Sequence, residues 1–258
     1  MNNFDQVALL ITHYNRSQSL SRLLQAFRDQ QFIFGEIIVS DDASLPKHQY
    51  KLKQLQNEFG FKLIKTPENK GLGNNLNKGQ DAVTKPYTFY IQEDFVPIRG
   101  CASHLSDALQ LMQNNPELDI ARFYAYFSYP DLKPYQNGFS EMIFSRWTIN
   151  HLKFYFYSDH PHLRRSSFLQ KFGRYSETDS SDLTEYKMAI SFIKKNGKGL
   201  FYNQFNTLFD QCNSVAEPST ISRGSWRQSK KISVLVLRTV YLKYKLLKGH
   251  ADLFMAKT

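Results

Sequence analysis

The sequence predicts an α/β fold, a mainly parallel sheet flanked by helices, followed by a basic helical appendage. Three observations predict it. Short apolar runs alternate with segments of helical periodicity through residues 1–100. The tip after each apolar run is polar. Positive charge is concentrated at the C-terminal end.

The first apolar run, Val7–Thr12, reads as a buried strand. Ser17 or Ser19 is placed to cap the next helix, whose apolar positions Leu20, Leu23, Leu24 and Phe27 recur at helical spacing. Glu36–Ser40 is the second strand. Lys47–Phe59 repeats the helical period and stops at Gly60. Phe61–Thr66 is the third strand, Asn74–Val83 the third helix and Tyr87–Ile91 the fourth strand. Strands separated by helices imply right-handed crossovers and parallel pairing. The second half is less regular. Ile98–Asn114 reads as a helix, Ile120–Phe127 and Met142–Ser145 as strands, and Leu183–Lys195 as a helix closed by Asn196-Gly197. Tyr157–Arg165 combines ionisable groups with a turn; it reads first as a surface loop, its two histidines lacking a third partner for a metal, and second as a segment that binds the acceptor or the diphosphate. Ser229–Lys248 has helical character. The expected division is a catalytic domain over 1–222, with a nucleotide-binding half (1–100) and an acceptor half (101–222), and a basic amphipathic tail over 223–258.

Composition bounds the function. A chain of 258 residues, 41% of them hydrophobic, builds one sizeable core. Cys101 and Cys212 have no neighbours at zinc-ligand spacing. The N-terminus lacks the pattern of a signal peptide, and the apolar run Val234–Leu237 is too short to span a bilayer, so a cytoplasmic protein with reduced thiols is expected. The net charge is +10, yet residues 223–258 carry nine basic side chains against Asp252 alone, so +8 of it lies in the tail. Wound as a helix, the tail has an apolar stripe with cationic flanks, which suits the inner face of a membrane bearing anionic lipids. Specific nucleic-acid binding is not expected.

Ligands of parallel sheets collect at the carboxyl ends of the strands. Those ends here read Thr12-His13-Tyr14-Asn15-Arg16, Asp41-Asp42-Ala43-Ser44, Asn69-Lys70-Gly71-Leu72-Gly73-Asn74 and Gln92-Glu93-Asp94. Carboxylates accept hydrogen bonds from a base or a ribose, glycines and a helix N-terminus admit a phosphate, and an acidic cluster holds a divalent cation. Together these needs describe a nucleoside diphosphate with its metal.

These four tips in order resemble the family 2 glycosyltransferases of the GT-A fold, a Rossmann-like architecture. Thr12, Tyr14, Asn15 and Arg16 match the opening motif; Asp41, Asp42 and Ser44 match the second; Asn69, Gly71, Asn77 and Gly79 match a paired Asn-x-Gly; and Gln92-Glu93-Asp94 stands at the acidic motif. The resemblance implies an inverting, metal-dependent transferase of a sugar from a nucleotide-sugar donor, UDP-linked by expectation, to a glycan or lipid-linked acceptor of a bacterial surface polysaccharide. It implies base and ribose contacts at Thr12, Asp41 and Asp42, further donor contacts at Tyr14, Asn15, Arg16, Asn69, Gly71, Asn74 and Glu93, and Mn²⁺ or Mg²⁺ on Asp94. For the base it points to Glu185, then Asp182, then Asp179. Three positions depart from the pattern. Asn75-Leu76 stands where the family often has Ala-Arg, leaving Lys70 or Lys78 as the phosphate cation. Gln92 replaces the first carboxylate, and Tyr186 replaces the family's usual base. Two rivals stay open: an inactive GT-A scaffold at the membrane, and a sugar nucleotidyltransferase. The latter would want a glycine-rich basic loop after the first strand.

Overall fold

The computed structural model describes residues 1–213, Glu217 and 232–255, the side chains of 232–236 excepted. The alternation read from the sequence is present: β1 (Asn2–His13), α1 (Ser17–Asp29), β2 (Phe32–Asp41), α2 (Pro46–Phe59), β3 (Lys62–Lys65), α3 (Gly71–Asp81) and β4 (Tyr87–Gln92) follow one another. After them come β5 (Phe95–Pro97), α4 (Cys101–Asn114), β6 (Ile120–Arg122), β7 (Leu132–Pro134), β8 (Phe139–Met142) and a 3₁₀ turn at His151–Phe154. The rest is β9 (His162–Arg165), α5 (Phe168–Phe172), α6 (Ser181–Lys194), β10 (Gly199–Tyr202), β11 (Phe209–Gln211) and α7 (Ile232–Met255).

Among the described residues nine strands form one sheet in the order β3-β2-β1-β4-β9-β6-β10-β8-β7. Only β9 and β8 oppose the rest, so the sheet is mostly parallel. β1 lies inside the sheet and both its faces are covered. Val7, Leu9 and Ile11 point into one hydrophobic cluster with Leu20, Leu23, Leu24 and Phe27 of α1, whereas Leu10 points into the other with Leu76 of α3. That two-sided burial is why β1 reads as an unbroken apolar run. α3 lies close on the sheet because it carries glycines. A Cβ on Gly79 would stand 2.7 Å from the Leu10 side chain, and one on Gly73 would stand 1.9 Å from the backbone oxygen of Ser176.

Several boundaries differ from expectation. The α1 N-cap is Arg16 with no side-chain cap, and Ser17 and Ser19 lie inside the helix. The carboxylate of Glu217 takes over the capping, accepting from the backbone N–H of Gln18 (2.9 Å) and Ser19 (2.8 Å). A carboxylate at this end also suits the helix dipole. α3 begins at Gly71 rather than Asn74, and α4 begins at Cys101 after Gly100, whose φ of 96° ends the preceding extended chain. Only Ile120–Arg122 of the long strand expected there is extended, and the strand expected at Met142–Ser145 lies at Phe139–Met142.

The largest correction concerns Tyr157–Arg165, expected as a surface loop. Its second half is β9, buried between β4 and β6 and antiparallel to both. Arg164 is fully buried there because its guanidinium is satisfied. It donates to Gln80 Oε1 at 2.8 Å and to the Tyr175 hydroxyl, and lies 5.1 Å over the Phe168 ring. These neutral acceptors satisfy the donors of the guanidinium, which would otherwise be costly to bury.

The tail helix runs over Ile232–Met255, where Ser229–Lys248 was expected. Leu246 and Leu253 pack on the core, and a Cβ on Gly249 would stand 2.4 Å from the Phe154 ring. The expected domain boundary near Ser222–Ser225, and the basic residues Arg223, Arg227, Lys230, Lys231 and Lys257 with Trp226, lie outside the described residues.

Gly73→Ala is expected to cost about 1–3 kcal/mol, the usual range for overpacking, because the atom it would meet is backbone. A drop in the denaturant midpoint with an unchanged m-value checks this.

Candidate active site

The carboxyl ends of β1, β2 and β4 and the N-terminus of α3 open into one cavity of about 1000 Å³. Thr12, Tyr14, Arg16, Asp42, Asn69, Gly71, Glu93 and Asp94 all line it. The four polar tips therefore meet at one place. Asp42 shapes the α3 side. Its two carboxylate oxygens accept the backbone N–H of Lys70 (2.9 Å) and Gly71 (2.8 Å), tying the end of β2 to the first turn of α3. Gly71 has φ 83°, a left-handed conformation that suits glycine.

Four of the expected residues lie beside or below the cavity and hold its parts. Asp41 is fully buried and accepts from His13 Nδ1 at 2.7 Å and from the Ser44 hydroxyl. Burial pushes its carboxyl up, but the His13 and Ser44 hydrogen bonds outweigh that and hold it below the usual range. Asn15 fastens the first two loops, its side chain accepting from Leu45 N at 2.7 Å. Asn74 donates to Glu177, and Asp179 pairs with Lys187. Lys70 and Lys78 are also absent from the lining. Lys78 instead donates to the backbone oxygen of Asp41, and Asn75 at the departing position donates to the backbone oxygen of His13, bracing α3 against β1.

The acidic segment carries an uneven charge. Arg16, almost wholly buried, stands 3.3 Å from Asp94 and 3.7 Å from Glu93. Burial, then the neighbouring Asp94 charge, push the Glu93 carboxyl up to about 8. Asp94 Oδ2 accepts from Gln211 at 3.0 Å. Asp94 Oδ1 and Arg16 Nε are buried without hydrogen-bond partners among the described residues. An orphan acceptor beside an orphan donor is the pairing that a cation and a diphosphate satisfy together. No cluster of three or more His, Cys, Asp or Glu suited to a metal exists among the described residues. The donor set fits a cation that takes one or two carboxylates and completes its shell with phosphate and water oxygens.

A second carboxylate pair occupies another part of the wall. Glu185 on α6 accepts from the backbone N–H of Asp159 at 3.3 Å, and Asp159 Oδ2 accepts from Gln92 Nε2 at 2.9 Å. Burial and mutual repulsion push Asp159 well above the ordinary carboxylate range, and burial raises Glu185 as well. Gln92, which replaces the first carboxylate of the acidic motif, thus holds the second pair in place. Asp182 lies exposed on the same rim. Tyr186, at the departing position, donates to Asp252 Oδ2 at 2.6 Å and so ties α6 to α7.

Three cationic groups in the lining were missed from the sequence: Arg122, Lys245 and Lys248. Arg122 is buried on β6, and that burial lowers its pKa to about 10. Asp159 was missed too. It stands 26 residues from Glu185, and only the insertion of β9 between β4 and β6 brings the two together.

Residues 8–173 match the family described as Glycosyl transferase family 2. Among solved structures, S. aureus TarS 1–349 is 13% identical over 79% of this chain and 59% of that one, with a TM-score of 0.56. The same protein in complex with UDP-GlcNAc gives 14%, 91%, 66% and 0.58. The mannosyltransferase PcManGT from Pyrobaculum calidifontis, in complex with GDP-Man and Mn²⁺, is 12% identical over 97% of this chain and 70% of that one, at 0.56. At these identities the likeness is one of fold, the GT-A fold. The chain spans only 59% of the length of the TarS 1–349 structure. No curated protein matches by sequence.

The raised Glu93 pKa has a consequence for stability. The folded chain keeps this proton up to about pH 8, whereas an unfolded glutamate loses it near 4.5. Stability from this group is therefore fully present below about 4.5 and is lost as pH rises through about 8. Glu93→Gln removes the titration. The stability of the variant relative to the parent is expected to grow by about 2–5 kcal/mol across that window, read from denaturant unfolding at several pH values.

Proposed function

The chain belongs to glycosyl transferase family 2, and we propose that it transfers a sugar from a nucleoside-diphosphate donor, with inversion, to a hydroxyl of a glycan or lipid-linked acceptor. One observation carries the reading: two carboxylate pairs, Glu93–Asp94 and Asp159–Glu185, face a single cavity and are joined through Gln92. Inverting transfer needs two such centres, one for the leaving diphosphate and one for the incoming hydroxyl.

Thr12, Asp42 and the amides at the start of α3 form the nucleoside end. Asp94, whose Oδ1 has no partner among the described residues, would hold Mn²⁺ or Mg²⁺, which would neutralise the leaving diphosphate. Arg16 adds a fixed positive charge beside them. Glu185 is the base. It takes the proton of the acceptor hydroxyl as that oxygen bonds the anomeric carbon and the bond to the diphosphate breaks. Asp159 keeps Glu185 oriented, and its hydrogen bond favours the charged form of Glu185 against the burial that raises it. Exposed aromatic faces at Tyr126, Phe127 and Tyr155 in the wall suit stacking on sugar rings. A UDP-linked donor and a bacterial surface polysaccharide as product are the specific forms this reading takes. The loop after β1 is not the glycine-rich basic loop a nucleotidyltransferase uses, which disfavours that rival.

Donor hydrolysis with Mn²⁺ tests the reading. The full chain is expected to release nucleoside diphosphate slowly from a UDP-sugar, and Asp94→Ala is expected to abolish the Mn²⁺ dependence. Absence of any turnover across UDP- and GDP-sugars would leave an inactive scaffold. Glu185→Gln is expected to lower kcat by about 10²–10⁴-fold with little change in KM. Because burial raises both members of the Asp159–Glu185 pair, kcat/KM is expected to climb with pH through an ionisation above the ordinary carboxylate range. Asp159→Ala should move that ionisation up, since it removes a hydrogen bond that favours the charged form of Glu185.

A further inference from the structure

α7 is apolar on two sides, and only one of them is packed. Leu246, Gly249 and Leu253 face the body of the protein. Leu237, Val240, Tyr244, Leu247 and Phe254 recur at helical spacing on another face and are all exposed, Phe254 by 80%. The stripe continues onto the loop before the 3₁₀ turn, where Trp147 is 92% and Ile149 88% exposed. Loop and helix are fixed to one another. The Arg146 guanidinium lies 5.8 Å over the Phe254 ring, the Phe154 and His250 rings meet at 5.6 Å, and Lys153 Nζ donates to the backbone oxygen of Arg146 at 2.9 Å. Exposed tryptophan, isoleucine and phenylalanine on one continuous surface are uncommon in a protein that meets only water.

The charge on this surface selects the partner. α7 carries Arg238, Lys243, Lys245 and Lys248 against Asp252 alone. Cations flanking a bare apolar and aromatic stripe complement an anionic headgroup layer over an acyl interior. No helix among the described residues is long and apolar enough to cross a membrane, which leaves a helix lying along the interface. A second copy of the chain would set these same cations against one another.

We propose that α7 and the Arg146–Asn150 loop together form a docking surface for a bilayer rich in anionic lipid, and that this surface adjoins the acceptor end of the cavity. Tyr241, Tyr244, Lys245 and Lys248 line the cavity while belonging to the same helix. Docking therefore brings the headgroup plane to the cavity wall, so that an acceptor carried in the bilayer enters from that side. The docking itself does not depend on the sugar-transfer reading and is tested by binding alone.

The full chain is mixed with vesicles of phosphatidylcholine, or of phosphatidylcholine and phosphatidylglycerol in equal parts, and sedimented. Binding is expected only to the anionic vesicles and is expected to fall with added salt. In a Trp226→Phe background the fluorescence of Trp147 is expected to shift to the blue on binding. The triple substitution Trp147→Ser, Leu247→Ser and Phe254→Ser should abolish binding while circular dichroism and melting temperature stay unchanged. Lys243→Gln should weaken binding about fivefold, the equivalent of about 1 kcal/mol per basic residue. Failure to bind either vesicle overturns the proposal, as does binding that the triple variant retains. A concentration-dependent dimer lost in the triple variant, with vesicles ignored, would assign the face to a second copy and also overturn it.

Discussion

The site depends on one buried guanidinium. Arg16 lies where the first loop enters α1, and its charge sits against both Glu93 and Asp94. Burial and the neighbouring Asp94 charge raise Glu93, and Arg16 opposes both. With Arg16 present, one of the pair keeps an acceptor free for a ligand while the other holds its proton near neutral pH. The same guanidinium also donates to Asn213 and to the backbone of Glu217. The segment that caps α1 is thereby drawn to the mouth of the acidic pair, and the local geometry of three chain segments converges on this side chain.

A second constraint is the close seating of α3. Asp42 fixes its first turn, Asn75 braces it to β1, and Gly73 and Gly79 allow it near contact with the backbone beyond and the sheet beneath. Its amide-rich end is held rigidly at the edge of the cavity, with little left to be ordered on binding. Such preorganisation lowers the entropic cost of capturing a charged ligand.

The first hundred residues were legible in the sequence because β1 and β4 are buried on both faces and read as apolar runs. The polar tips were legible because parallel topology places them on one rim. The chain after residue 100 obeys neither rule. β9 is His-Leu-Arg-Arg, a polar string whose burial depends on Gln80 and Tyr175, and no local pattern announces partners so distant. Asp159 was hidden for the same reason, and Arg122 sits on a strand of only three residues. Asp41, Asn15 and Asn74 show the converse. Their place in a motif was visible, but only the three-dimensional arrangement separates residues that face the cavity from residues that hold its walls together.

The bond from Tyr186 to Asp252 joins α6 to α7. Tyr186 follows Glu185 on α6, and Asp252 lies near the end of α7. A chain ending before Asp252 would lose the tether on the helix that carries Glu185, and one ending before Tyr241 would lose part of the cavity wall as well. The C-terminal helix is therefore an internal strut of the fold, and its sequence is constrained from within as much as from outside.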